Sequence, residues 1–488
     1  MQLADTELLR TQAFIDGQWV DADSGATTEV SNPANGVVIA RVARCGASET
    51  RRAIEAAGRA FRDWRRRTAK DRSRALRRWF DLMMAHQEDL AAIMTTEQGK
   101  PLAESRGEIA YGAAFIEWFA EEARRVYGDT IPGPANDKRI VTIKQPVGVV
   151  ACITPWNFPN AMLTRKVGPA LAAGCTVVCK PANATPLSAF AIAELAVRAG
   201  IPPGVVNVLA GDTHGIGAEL TANPEVRKLT FTGSTEVGKQ LIEQCAATVK
   251  RTSMELGGNA PFIVFDDANL DAAVQGALVC KYRNAGQTCV CANRILVQSG
   301  IYDAFAEGLS AAVRALNVGD GMAPGTVVGP LIDREAADSV LGMVDNAVEL
   351  GAGVLAGGKR AANGECFVEP TILTGVRRDM RVFREEIFGP VAPLVKFETE
   401  EEAVELANDT EYGLAAYFYS RDIGRVWRMA ERLDYGIVGI NEGIISNEAA
   451  PFGGVKESGI GREGSKYGMD EYLEIKYLCM GGIETANE

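Results

Sequence analysis

The chain has 488 residues, 47% hydrophobic and 23% charged, with a formal net charge of −12. That length and composition describe a soluble globular protein of two or three domains. The acidity argues against nucleic acid or an anionic membrane surface as a partner, and no stretch reaches the ~18 apolar residues of a spanning helix.

Met1 to Val20 has neither an apolar core run nor an Arg/Ser-rich character, so neither a signal nor a transit peptide is expected. Ten cysteines are too sparse for a disulfide scaffold. With only His86 and His214 and no paired C-x-x-C clusters, a zinc site is not expected either. A reducing cytoplasm fits these features best.

Residues 51–126 read as helices. Arg51 to Arg67 is basic and alanine-rich, and Asp71 to Leu90 carries Leu76, Phe80, Leu82 and Met83 at helical spacing. Lys138 to Lys144 reads as a short strand. The chain then alternates. Strands are expected at Val147–Ile153, Thr176–Cys179, Val205–Leu209 and Lys228–Phe231. Helices are expected at Leu163–Leu171, Leu187–Arg198, His214–Thr221 and Val237–Ala247. Alternation at this spacing implies a parallel sheet with right-handed crossovers, which binds ligands at the carboxyl ends of its strands. The loops after Ile153, Cys179 and Phe231 are therefore the candidate binding loops.

A second alternating block runs from Ala260 to about Gly459. Its expected strands are Phe262–Phe265, Arg294–Val297, Val354–Ala356 and Leu394–Phe397. Its expected helices are Leu270–Tyr282, Tyr302–Ala315 and Arg334–Glu349. The tail Leu473–Cys479 alternates apolar and polar residues like an edge strand seeking a partner.

Cys289 sits in Asn284-Ala285-Gly286-Gln287-Thr288-Cys289-Val290-Cys291, poor company for a buried apolar thiol. Upstream, Glu255 stands beside Gly257-Gly258. Neither histidine lies in a stretch resembling a catalytic loop, so a catalytic Cys289 would take a carboxylate as its base. Glu255 would otherwise be a solvated surface group. Phe231-Thr232-Gly233-Ser234 joins a strand to a helix, where Gly233 lets a phosphate approach the helix amides, or Ser234 simply caps the helix. Thr154-Pro155-Trp156-Asn157-Phe158-Pro159 is a rigid loop in which Asn157 offers the NH₂ an oxyanion needs, or serves as an Asx turn. Lys180-Pro181-Ala182-Asn183 follows the next strand, where Lys180 meets ribose or phosphate, or is a surface lysine.

Together these stretches resemble the aldehyde dehydrogenase superfamily over nearly the whole chain. The resemblance is carried by Pro155-Trp156-Asn157-Phe158-Pro159, Phe231-Thr232-Gly233-Ser234, Glu255-Leu256-Gly257-Gly258, Gly286-Gln287-Thr288-Cys289 and Glu386-Ile387-Phe388-Gly389-Pro390. A closer resemblance, to succinate-semialdehyde dehydrogenases, rests on five stretches. They are Thr164-Arg165-Lys166, Tyr282-Arg283-Asn284, Cys289-Val290-Cys291, Ile445-Ser446-Asn447-Glu448 and Gly461–Gly468.

The resemblance implies an α/β protein with a Rossmann-like parallel-sheet cofactor domain (1–125 and 148–256) and a second α/β catalytic domain (257–460). A small β oligomerisation extension (126–147 and 467–488) would join subunits into a tetramer or dimer. Cys289 would be the nucleophile, Glu255 the base that hydrolyses the thioester, and Asn157 with the Cys289 backbone N–H the oxyanion site. Trp156, Asn157, Lys180, Pro181, Ala182, Asn183, Gly233, Ser234, Leu256 and Glu386 would line the cofactor's path. Arg165, Arg283 and Ser446 would hold the carboxylate of a small anionic aldehyde. Related enzymes that prefer NAD often carry glutamate where Asn183 stands, so NADP is expected here, with NAD possible. Glutarate semialdehyde remains an alternative substrate. A cofactor-free thioesterase is a competing reading that leaves the nucleotide-type loops without a purpose.

Overall fold

The computed structural model describes residues 1–483. Residues 484–488, part of the expected oligomerisation tail, lie outside the described residues. The chain opens with two hairpins, β1 (Ala13–Ile15) with β2 (Gln18–Val20), and β3 (Thr27–Ser31) with β4 (Val38–Ala43). Asp16 and Gly17, at φ 52° and 79°, supply the two positive-φ residues of a tight I′-type turn. Four helices follow: α1 (Ala47–Trp64), α2 (Ala69–Ala85), α3 (Gln87–Gln98) and α4 (Leu102–Glu122). Leu76 and Met83 of α2 are buried as their spacing implies, but Phe80 and Leu82 are only half-buried. The indole N–H groups of Trp64 and Trp79 reach the carbonyls of Leu171 and Ile192, pinning this layer to later helices.

After β5 (Thr130–Ile131) and β6 (Arg139–Pro146), the strand–helix alternation begins. Its elements are β7 (Val149–Ile153), α5 (Ala161–Ala173), β8 (Thr176–Lys180), α6 (Pro186–Arg198) and β9 (Val206–Val208). It continues with α7 (Thr213–Ala222), β10 (Val226–Thr232), α8 (Thr235–Ala246) and β11 (Arg251–Glu255). Strands β11, β10, β7, β8 and β9 are parallel neighbours in that order. The chain thus leaves β7 in one direction to β8 and β9, then returns to the other side for β10 and β11. The switch point between β7 and β10 is where such sheets open a ligand crevice.

The second sheet draws on β12 (Ala260–Val264), α9 (Leu270–Tyr282), β13 (Ala292–Gln298), α10 (Tyr302–Arg314) and α11 (Arg334–Glu349). Then come β14 (Gly353–Ala356), β15 (Thr371–Thr374), α12 (Arg381–Arg384), β16 (Val391–Phe397) and α13 (Glu400–Asn408). The block closes with β17 (Ala415–Tyr419), α14 (Ile423–Arg432) and β18 (Ile437–Ile440). The strand order is β14-β15-β16-β13-β12-β17-β18, parallel except at β14. β19 (Gly459–Ile460) then returns to the first sheet and pairs with β11. α15 (Tyr467–Asp470) leads into β20 (Leu473–Met480), which pairs antiparallel with β6 along its whole length.

The fold is therefore α/β with Rossmann-like parallel sheets. Strand and helix identities follow the sequence pattern, with three differences of note. The strand expected from Val147 starts at Val149, because Gly148 bends the backbone at φ 133° and the Val147 N–H bonds to the Tyr472 carbonyl. β11 was not legible: Arg251-Thr252-Ser253-Met254-Glu255 mixes polar and apolar residues without a strand period, and its pairing with β10 on one edge and β19 on the other decides it. β17 is an apolar run too short to tell helix from strand by periodicity. Among the described residues no helix is long and apolar enough to cross a membrane, and no cluster of metal-ligating groups occurs.

Arg294 on β13 is a buried cation that pairs with no carboxylate among the described residues. It donates to the carbonyls of Asn259, Leu406 and Ala407 and to the Tyr435 hydroxyl, stitching the start of β12 to the end of α13. Replacing it with Met should strand those acceptors at about 1–3 kcal/mol each. Thermal unfolding should show a drop of several degrees; an unchanged midpoint would mean the network contributes nothing.

Candidate active site

The loops at the switch point come together as the topology requires. The loop after β7 brings Trp156 and Asn157, the loop after β10 brings Gly233 and Ser234, and β11 ends at Glu255. With Leu256, Glu386, Phe388 and Cys289 these loops line one cavity of about 240 Å³. Cys289 is partly open to it; Glu255 is only 3% exposed.

The approach to Cys289 is tightly built. After α9 the backbone makes a left-handed turn through Asn284, Ala285 and Gly286, at φ 51°, 54° and 77°. For the two non-glycine residues this costs roughly 1–2 kcal/mol each. A Cβ at Gly286 would lie 2.1 Å from the Gly389 carbonyl oxygen. A Cβ at Gly258 would lie 2.4 Å from the Cys289 carbonyl oxygen, so the Gly-Gly pair is what lets the β11–β12 connection pass behind the thiol.

The Asn157 side chain donates one N–H to the Gln287 carbonyl at 3.0 Å, and its other N–H has no acceptor among the described residues. The Asn157 main-chain carbonyl accepts from Lys100 at 2.7 Å and from Asn284 at 3.0 Å. The Cys289 backbone N–H has no acceptor among the described residues.

The site holds its protons. Burial, reinforced by Glu386 and opposed by Arg165, pushes the Cys289 thiol up to about 12. Burial, and then Glu463, hold the Glu255 carboxyl well above the usual carboxylate range, against Arg165 and Lys166. Its Oε2 has no partner among the described residues. Burial raises Glu386 to about 8, while the Gly258 N–H and Lys281 oppose.

Three charged groups on α5 and the 461–468 segment form a buried cluster. Arg165 and Lys166, 1% exposed or less, both pair with Glu463. The Arg165 guanidinium also lies over the Phe452 ring at 4.0 Å, and its Nη2 has no acceptor among the described residues. Glu463 therefore already neutralises much of the charge the sequence assigned to the substrate. Arg283 differs: it is half-buried over the Phe158 ring at 5.4 Å, feels Glu104, and makes no salt bridge among the described residues. The Tyr111 hydroxyl is raised by burial and pulled back by Arg165, Arg283 and a contact with Ser446, so it joins these three groups at one end of the site. It makes no full hydrogen bond among the described residues.

The remaining cofactor-path residues sit along the same sheet edge. Lys180 is buried, not a surface lysine; burial lowers it to about 8, against Asp212. Pro181 is buried and Ala182 half-buried beside it. Asn183 spends both ends of its amide on the backbone of Gly211, tying this loop to the one after β9. Trp156 meets Phe388 edge-on at 5.6 Å. A Cβ at Gly233 would fall 2.3 Å from the Phe231 ring, and Ser234 caps α8 through the Val237 N–H. A helix N-terminus behind glycine, a carboxylate for hydroxyls and an aromatic-walled cavity suit a dinucleotide. Sequence reasoning missed Lys100, Glu108 and Tyr111. It noted Lys166 and Glu463 only as motif members, because partners 297 residues apart leave no local signal.

A half-open thiol, a buried carboxylate and a dinucleotide-type crevice at a sheet switch point define a cysteine-dependent oxidoreductase. The chain belongs to the aldehyde dehydrogenase family, whose sequence model matches residues 19–478. It is 63% identical to glutarate-semialdehyde dehydrogenase of Pseudomonas aeruginosa, covering 99% of this chain and 100% of that one. It is 62% identical to the NADP-type succinate-semialdehyde dehydrogenase of Escherichia coli, again over 99% and 100%. The crystal structure of succinate-semialdehyde dehydrogenase from Burkholderia pseudomallei matches with a TM-score of 0.98 at 62% identity, covering 99% of this chain and 100% of that chain.

With no ligand bound, alkylation of Cys289 by iodoacetamide should rise about tenfold per pH unit from 7 to 10, because the thiolate is scarce throughout. Mass spectrometry of the modified peptide checks this; a plateau below pH 9 would contradict a thiol raised by burial.

Proposed function

We propose that the protein oxidises a short aldehyde with a terminal carboxylate, succinate semialdehyde in the first instance, to the free acid, using NADP or NAD. The observation that carries the substrate is Arg283, a half-buried guanidinium without a salt bridge among the described residues, six positions before Cys289. A guanidinium pairs bidentately with a carboxylate. Ser446 and the free Nη2 of Arg165 are further donors for the same group. Glutarate semialdehyde, one methylene longer, is the second reading, supported by a relative of equal similarity bearing that name.

In this reading the Cys289 thiol first loses its proton to solvent, and the resulting thiolate attacks the aldehyde carbon. The new oxyanion takes the remaining Asn157 N–H and the Cys289 backbone N–H. Bound oxidised nicotinamide supplies the hydride acceptor. Collapse of the oxyanion releases the C–H electron pair as hydride and leaves a thioester on Cys289. Glu255 takes a proton from water as it attacks; the C–S bond breaks, returning the thiolate and releasing the acid.

For the cofactor, Trp156, Gly233, Ser234 and Leu256 would hold the nucleotide, and Glu386 the nicotinamide ribose. Asn183 puts no carboxylate where a 2′-phosphate would lie; a charge there would repel it by ~1 to 4 kcal/mol at ~4 Å. NADP is the preferred cofactor on this ground. Residues 1–125 and 148–256 would form the cofactor domain and 257–460 the catalytic one. β20 leaves Ile475, Tyr477 and Met480 exposed, which supports subunit pairing through this sheet into a dimer or tetramer. The acidic, cysteine-sparse chain suits the cytoplasm.

Steady-state kinetics with succinate semialdehyde, glutarate semialdehyde and an uncharged aldehyde, each with NADP and NAD, tests the reading. Arg283→Ala should raise KM for the charged substrates at least ~10-fold and leave the uncharged one nearly unaffected. Similar losses for all three would refute carboxylate recognition, and equal efficiency with both cofactors would remove the NADP preference.

A further inference from the structure

We infer that Lys100 is a positioning residue for the oxyanion site, acting through the main chain of Asn157. The proposal rests on the reading of Asn157 as the oxyanion donor.

Lys100 lies at the junction of α3 and α4, between Gly99 and Pro101. Gly99 is left-handed at φ 95°, and a Cβ there would meet Pro330 at 2.7 Å and Pro33 at 2.8 Å, so this junction is wedged in place. Lys100 is 1% exposed, a rare location for lysine unless the ammonium is fully engaged. Here it is. Nζ donates to Glu108 Oε2 at 2.6 Å and to the Asn157 carbonyl at 2.7 Å, and it stands 3.9 Å from the centre of the Phe158 ring. The other oxygen of Glu108 accepts from the N–H groups of Asn160 and Ala161, at 3.0 and 3.2 Å, where α5 begins. One buried ion pair therefore grips residues 157 to 161.

The same junction also holds the strained turn before Cys289. Asn284 donates from its side chain to the Asn157 carbonyl, beside Lys100. Gln98 donates to Asn284 Oδ1 at 3.0 Å and accepts from the Lys100 N–H at 2.9 Å. Glu104 on α4 accepts from the Asn284 N–H at 2.9 Å. The loop bearing Asn157 and the loop leading to Cys289 are thus referenced to one anchor, although the first follows β7 of one sheet and the second follows α9 and runs into β13 of the other. None of these anchoring groups lines the cavity with Cys289. Their effect on chemistry must pass through where they place the Asn157 N–H, and an oxyanion donor works only within a few tenths of an ångström of its target.

The test uses the whole enzyme with saturating NADP and succinate semialdehyde, reading the first-turnover rate of reduced cofactor by absorbance. Because Lys100→Met alone strands a buried carboxylate, the working variant is Lys100→Met/Glu108→Gln, in which both partners are neutral. It should cut the first-turnover rate roughly 100-fold, the scale of losing one oxyanion donor, with cofactor affinity and KM changed less than about threefold. Glu108→Gln alone keeps the Lys100 donor and should retain at least about a third of the rate. In an Asn157→Ala background the double change should cost less than about threefold more, because the donor it positions is already gone.

Wild-type rate in the double variant would overturn the proposal. So would a multiplicative loss with Asn157→Ala, or a Glu108→Gln loss as large as the double variant's. If the double variant fails to fold, Glu108→Gln with and without Asn157→Ala decides by the same criterion, any loss it shows vanishing in the Asn157→Ala background. A wild-type rate in Asn157→Ala by itself would instead sink the reading of Asn157, and the positioning role with it.

Discussion

The close passage of the β11–β12 connection behind Cys289 is the constraint on which the rest depends. β11 ends at Glu255 and β12 starts at Ala260, so the chain crosses from one sheet to the other in four residues. The carboxyl edge of the first sheet and the amino edge of the second, where β12, β13 and β16 begin, therefore face one crevice. Gly258 leaves room for the Cys289 carbonyl where any Cβ would collide. The result places a carboxylate from the first sheet's edge and a thiol from the second at one dry junction. Dryness explains their shared electrostatic character: burial is the largest cause of the rise in both Cys289 and Glu255. Such a resting site favours neutral, unreactive groups; in the proposed reading Cys289 and Glu255 act as nucleophile and base once substrate and cofactor bring charge of their own.

Charge is managed locally throughout. The net charge of −12 would repel an anionic substrate, yet Arg165, Arg283 and Lys166 cluster beside the site. Two of the three are committed to Glu463, which keeps buried cations from going unpaired. In the proposed reading the Glu463 cluster tunes Glu255, and Arg283 meets the incoming carboxylate.

Much of this was legible before any coordinates. The alternation of strands and helices announced two parallel sheets, and glycine, proline and polar residues at strand ends marked the loops that line the cavity. What escaped is instructive. β11 escaped because its own residues carry no strand period; pairing along the whole of β10, with β19 on its other edge, decides it. Lys100 and Glu108 escaped because a charged residue on a helix or in the link between two normally reads as solvated, and only tertiary packing turns them inward. Lys180 was weighed as a surface residue for the same reason and is buried. Asn183 was read for the charge it lacks; its hydrogen bonds to Gly211 show that it also braces the loop. Local pattern carries backbone chemistry well, and long-range pairing of buried charges poorly.

The central claim is that Glu255 and Cys289 divide the reaction, the thiol making the thioester and the carboxylate releasing it. A stopped-flow record of reduced cofactor in Glu255→Gln separates the two steps. The expected trace is a burst close to one equivalent per site, followed by turnover slowed by roughly 10²-fold or more. An undiminished steady-state rate would contradict the claim.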